Sequence, residues 1–157
     1  MTRRRTAALA LVLALLLCGY GAWSLFRARG DDSLAHARER DAALADGAAR
    51  VAELTGHEPR DPDATRTRWL AAATGPLHEE LRRAKKPAPG PGARAAVTAA
   101  ALTALDTRAG TATLIATVRV TPSDGAEERK RLEARLARTP DDGWKVEALT
   151  AVPVGDA

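Results

Sequence analysis

TATLIATVRVT, Thr111 to Thr121, places Ala112, Leu114, Ala116, Val118 and Val120 on one side of an extended chain and Thr111, Thr113, Ile115, Thr117, Arg119 and Thr121 on the other. A period of two predicts a strand with one face on a core. Val97 to Leu105 is its hairpin partner across Asp106 to Gly110, although its alanines equally suit a helix. Glu127 to Arg138 has high helix propensity, with Leu132 and Leu136 four apart, yet Leu132, Ala134 and Leu136 also share one face of a strand. The strand reading is preferred, because Pro140-Asp141-Asp142-Gly143 is a turn and Trp144-Lys145-Val146-Glu147-Ala148 alternates again after it. The second half of the chain therefore reads as an antiparallel sheet.

Upstream, Pro87-Ala88-Pro89-Gly90-Pro91-Gly92 can form neither helix nor ladder. It divides a helical half, 33–85, from a sheet half, 94–154, with the linker at 86–93. Ser33 to Leu54 reads as a helix whose Leu34, Ala37, Leu44, Ala48, Val51 and Leu54 recur largely at three- and four-residue steps. Asp41 and Asp46-Gly47 interrupt that stripe, so a long coiled coil is not supported, and Gly56 is the expected stop. Asp61-Pro62 is an N-cap and first-turn signal for a helix to about Ala73 that buries Trp69, Leu70 and Ala73. Thr74-Gly75-Pro76 breaks it and starts a short helix carrying Leu77 and Leu81. The fold class is α+β, helices first and antiparallel sheet second.

Before all of this lie twenty residues without a charge, Ala7 to Phe26, between Arg3-Arg4-Arg5 and Arg27 and Arg29. A helix of that length is about 30 Å long, enough to cross the hydrocarbon core of a bilayer. Residues 1–29 are accordingly expected to form a basic tip and a single-pass anchor through Ala7, Leu11, Leu15, Trp23 and Phe26, with 30–157 as one small domain. Three arginines before the run, against two followed at once by Asp31 and Asp32, favour a cytoplasmic N-terminus and an extracytoplasmic domain in the cell envelope. A cleaved signal peptide would use Gly19-Tyr20-Gly21 or Ala28-Arg29-Gly30, neither of them the favoured A-x-A. A lipoprotein would use Cys18, which follows three leucines where a lipid-attachment box wants Gly or Ala. Each of these alternatives also exports the domain.

The basic pI of the whole chain comes from the anchor. Five of the 24 Lys and Arg flank it, leaving 19 against all 20 Asp and Glu, so the domain is near neutral and net charge gives no reason to expect a nucleic-acid partner. Cys18 is the only cysteine, so the domain has neither a disulfide nor a thiol nucleophile. Trp69 and Trp144 are its only aromatic residues, and with Leu77, Leu132, Leu136 and Val146 they are the candidate core or the lining of a hydrophobic pocket. Abundant Ala and Arg with few Lys suggest a GC-rich bacterial source.

Catalytic signatures do not emerge. His36, His57 and His78 are 21 residues apart, without the close spacing that would bring three or four zinc ligands together. No glycine-rich phosphate loop or Gly-x-Ser-x-Gly pattern occurs. No catalytic, metal or cofactor residue is assigned.

The order of apolar run, Ala-rich helix, Thr74-Gly75-Pro76-Leu77 step, linker, alternating strand, and Arg131-Leu132 to Arg138 leading into Asp142-Gly143-Trp144-Lys145-Val146 resembles the actinobacterial Mce-associated (mammalian-cell-entry-associated) membrane proteins. Leu77 stands where members commonly carry a large aromatic. The resemblance implies an exported domain similar to nuclear transport factor 2, a cone of helices against a curved antiparallel sheet. It also implies a non-catalytic accessory role in the assembly or stability of an envelope complex, with subunits of a Mce-type lipid importer as partners. A distantly similar domain occurs in assembly factors of type IV secretion or conjugation, which is the alternative role. Related cones also include hydrophobic-ligand binders and pocket enzymes such as steroid isomerases, where a carboxylate abstracts a proton. Glu133 and Glu147 would be the candidates, but both alternate away from the apolar face and are expected to be solvated and paired with Arg131, Arg135 or Lys145.

Overall fold

A computed structural model describes residues 2–58, 61–85 and 92–153, without the side chains of 2–15, 22 and 25–32. The elements are α1 (Thr2–Thr55), α2 (Pro62–Ala72), α3 (Gly75–Arg83), β1 (Ala93–Asp106), β2 (Thr111–Pro122), β3 (Glu128–Thr139) and β4 (Gly143–Ala151). Two compact units divide within α1, Met1–Arg38 and Glu39–Ala157. In the first, Leu16, Leu17, Tyr20 and Trp23 are each about two-thirds exposed. Among the described residues no helix is long and apolar enough to cross a membrane. The side chains of Ala7, Leu11, Leu15 and Phe26 lie outside the described residues.

In the second unit the helix signals act as local chemistry dictates. Thr55 ends α1 and the Gly56 N–H returns to the Ala52 carbonyl at 3.0 Å. The Asp61 carboxylate accepts the Ala64 N–H at 2.8 Å, satisfying one of the donors that every helix start leaves without a partner, and Pro62 follows it. Gly75 opens α3 with φ +53°, a conformation that disfavours any residue with a Cβ.

All four strands run antiparallel in the order β1-β2-β3-β4. Ala112, Leu114, Ala116, Val118 and Val120 are buried on β2, Leu132, Ala134 and Leu136 on β3, and Trp144 and Val146 on β4. β1 reaches the same face by an uneven rhythm. Its core-side residues are Ala93, Ala95, Val97, Ala100, Leu102 and Leu105, with bulges between Val97 and Ala99 and between Leu102 and Ala104. Each bulge inserts one extra residue, Thr98 or Thr103, whose hydroxyl donates across the ladder to the Thr117 or Thr113 carbonyl. That broken period is why the segment also suits a helix in sequence; as a strand it pairs along its length with β2.

Several expectations are corrected. The sheet begins at Ala93 rather than 94, because Ala93 exchanges two backbone bonds with His57 and so belongs to the ladder rather than to the linker; residues 86–91 of that linker lie outside the described residues. Leu34, assigned to the apolar stripe, is 57% exposed, and the buried stripe of α1 starts at Ala43. Trp69 and Leu70 are only half-buried; Thr65 and Ala72 are the buried residues of α2, and Ala73 is buried just beyond it. Thr65 is buried because its hydroxyl exchanges bonds with the Glu58 backbone N–H and carbonyl, both at 3.1 Å.

Candidate functional site

Fully buried Leu114, Leu136, Val118, Trp144 and Val146 form the inner face of the sheet, and Ala43 and Val51 of α1 belong to the same cluster. Gly47 marks a close approach. A Cβ there would lie 2.6 Å from Leu136 Cδ1 and 3.2 Å from Leu114 Cδ2, so the helix backbone rests directly on the sheet's side chains. Two polar contacts fix that approach. The Asp46 carboxylate accepts the Trp144 N–H at 3.1 Å, and Glu39 pairs with Arg138 at 2.7 Å. Asp46-Gly47, read in sequence as a break in the stripe, is thus the contact itself. A small residue beside an acid on the buried side is a signal that hydrophobicity alone passes over.

Of the candidate pocket residues, Leu132, Leu136, Trp144 and Val146 come together in one core, with half-buried Leu77 packed against it. Trp69 stands apart from that cluster. Its indole N–H donates to the Gly56 carbonyl at 3.0 Å and its ring lies tilted by 39° against His57, 6.2 Å between centroids. The two tryptophans therefore do not line one pocket.

Open clefts lie elsewhere, among them one of about 360 Å³ lined by Leu105, Ala112, Arg135 and Glu147. Another, of about 410 Å³, is bounded by Glu53, His57, Glu58, Arg68 and Arg94, and one of about 440 Å³ continues past His57 to Thr121 and Ser123. Neither of these two is lined by Trp144, Leu136 or Val146. Their charged walls carry both signs, and their apolar floor is mainly alanine and glycine, so they lack the large apolar lining of a hydrophobic-ligand site.

Glu133 is exposed and in register with Ile115 and Thr150. Glu147 sits at the β4 bulge, where its Cγ would be 3.3 Å from a Cβ on Gly75. Neither forms the ion pair expected with Arg131, Arg135 or Lys145: the Lys145 ammonium goes instead to Asp142 at 2.7 Å. That hydrogen bond and charge hold the Asp142 carboxyl below its usual range, and Arg82 does the same to Glu79. Both lowered carboxyls belong to ion pairs at the surface, and Glu79 and Lys145 also line an open cleft of about 370 Å³ with Leu70, Ala73 and His78. Among the described residues no three His, Cys, Asp or Glu converge on a point that could hold a metal.

No family model matches the chain. No curated protein matches it either. Among solved structures it is similar to a TraE protein in complex with 2-(2-furyl)isonicotinic acid, at 15% identity and TM-score 0.48, over 68% of this chain and 90% of that one. An Ntf2-like protein involved in plasmid conjugation is similar at 15% identity and TM-score 0.44, over 73% of this chain but only 49% of the other. CagV, a VirB8 homolog of the T4SS from Helicobacter pylori strain 26695, is similar at 12% identity and TM-score 0.49, over 73% of this chain and 98% of that one. Likenesses of this size establish neither an activity nor a partner for this chain.

Proposed function

We propose that this chain is a non-catalytic, membrane-anchored accessory protein, with a domain of the nuclear transport factor 2-like type that supports the assembly or stability of an envelope complex. The observation that carries this reading is the contact at Gly47. A pocket enzyme or lipid binder of this architecture needs space between its helices and the inner face of its sheet, and here the helix backbone lies against Leu114 and Leu136. The exposed placement of Glu133 supports it further, because a carboxylate open to water lacks the apolar surroundings that would tune it as a base. The uncharged run from Ala7 to Phe26 and the flanking arginines support a single-pass anchor with the domain outside the cytoplasm.

The finer reading concerns which complex. A conjugation or type IV secretion machine is to be tested first, being the setting named for the structural neighbours; a Mce-type lipid importer, the setting of the sequence resemblance, is the other. Purification of the full chain from its native membranes in mild detergent distinguishes them by the subunits that accompany it. Recovery of the chain alone, together with loss of in vivo function on Glu133→Gln or Glu147→Gln, would replace the accessory role with an enzymatic one.

A further inference from the structure

The outer face of the sheet has a chemistry that the core does not explain. Registry across the strands builds it in rows: Ala96 beside Arg119 and Arg129, Ala99 beside Thr117 and Arg131, Ala104 beside Thr113 and Arg135. The β1 and β2 columns thus end mostly in methyl and hydroxyl groups, while the β3 column carries long cationic side chains. Arg119 and Arg129 stand directly opposite one another, an arrangement that like charges disfavour.

Their own molecule does little to neutralise them. Arg119 pairs with Glu127 at 3.2 Å, but among the described residues Arg129, Arg131 and Arg135 form no ion pair or side-chain hydrogen bond. Glu133, in the same column between Arg131 and Arg135, engages neither, and Glu128 pairs with Lys130 instead. The near-neutral domain therefore has one face on which positive charge is concentrated and left open.

We infer that this face, along β3, docks an extended acidic segment of a partner protein. The inference rests on the accessory role proposed above and gives the partner its chemistry. Arg129 and Arg131 are two residues apart in a strand, about 7 Å along the chain, which is also the spacing of alternate side chains in any extended segment. Alternate carboxylates lying along β3 meet these two guanidinium groups in register, where arginine accepts a carboxylate in two parallel hydrogen bonds. The small side chains of Ala99 and Thr117 leave room for the segment's backbone. Single-stranded nucleic acid would need aromatic side chains for stacking, and this face has none. A bilayer surface would be met by bulky inserted apolar groups, and Ile115, in the intervening row with Ala101 and Glu133, is the only one on this face between the rows of Ala96 and Ala104.

The test uses the full chain in neutral detergent and a labelled peptide of alternating Glu and Ser, followed by fluorescence anisotropy. Binding is expected to weaken as salt is raised beyond about 0.15 M, and to fall about tenfold in Arg129→Glu/Arg131→Glu. Arg83→Glu/Lys85→Glu, with the same change in net charge on and beside α3, is expected to leave it intact. The single change Arg131→Ala, which only shortens an exposed side chain, guards against misfolding and is expected to give an intermediate loss. Absence of salt-sensitive binding, equal loss in both double variants, or binding of soluble short-chain phosphatidylglycerol in place of the peptide would overturn the inference. A partner complex retained equally by wild type and Arg129→Glu/Arg131→Glu refutes this surface and leaves the accessory role standing. Peptide binding by a chain that purifies alone supports the surface and removes the accessory role.

Discussion

At Gly143 the backbone turns with φ +70°, and a Cβ there would lie 2.6 Å from the Asp46 oxygen that accepts the Trp144 N–H. One residue position thus serves the β3–β4 turn and the seat of α1 together. Gly143→Ala combines left-handed strain with loss of that contact, and is expected to lower unfolding free energy by about 1–3 kcal/mol. Asp46→Ala leaves the turn but removes the acceptor, for about 1 kcal/mol. Trp144→Ala opens the core beside both and is expected to cost about 3–5 kcal/mol, since the ring is 1% exposed. Urea titration of the three variants, followed by circular dichroism, checks the order. Asp142 and Glu79 give a pH signature of known sign. Because their folded-state affinity for protons is lowered by Lys145 and Arg82, their ion pairs help the fold at neutral pH and that help is lost as pH falls through the lowered values. Lys145→Met should flatten the acid limb of a stability-against-pH curve; an unchanged limb would show that the pair contributes nothing.

Strand β3 and strand β1 differ in how much of them the sequence makes readable, and the reason is periodicity. In β3 an unbroken alternation aligns Leu132, Ala134 and Leu136, so strand and inner face follow as soon as the Asp-Asp-Gly turn requires a partner. In β1 the bulges at Thr98 and Thr103 lengthen two steps of the rhythm from two residues to three, which imitates helical spacing in an alanine-rich segment. Helix ends were equally legible, because Asp61, Pro62, Gly56 and Gly75 act through local backbone chemistry. Contacts between elements far apart in the chain, Asp46 to Trp144 and Glu39 to Arg138, leave no local pattern. Two experiments exploit this. Deletion of Thr117 from the unbulged β2 turns the faces of Ala112, Leu114 and Ala116 relative to Val118 and Val120 and is expected to unfold the domain, whereas deletion of Thr98, the extra residue of a bulge, keeps its neighbours on their faces and should be far better tolerated. Leu136→Asp places a charge where the side chain is fully buried and is expected to cost more than about 4 kcal/mol, whereas Arg135→Asp on the exposed face should cost under about 0.5 kcal/mol. Equal tolerance of the two β3 changes would refute this packing.

For the whole molecule, the proposed accessory role would place function on the surface, with the proposed anchor at the apolar N-terminal run holding that surface near a partner. A tether that confines two weakly interacting surfaces to one membrane replaces a bimolecular encounter by a local one, raising effective concentration without adding a contact. Such a protein needs no tight interface of its own, which suits a docking face built of exposed arginines whose individual ion pairs with a partner are each worth little. Protease added to intact spheroplasts is expected to digest the domain from Gly30 onward, and protection of that part would exclude the proposed orientation. The stronger test replaces Met1 to Arg29 by a cleavable export signal, so that the same domain is exported but free to diffuse. Its fold, read by circular dichroism, should be retained, because the core cluster lies wholly within Glu39–Ala157. Its association with the envelope complex should weaken by about a hundredfold or more, the gain that confinement confers on a modest interface. Undiminished co-purification of this free domain would mean that the interface alone supplies the affinity, and that the anchor serves delivery rather than binding.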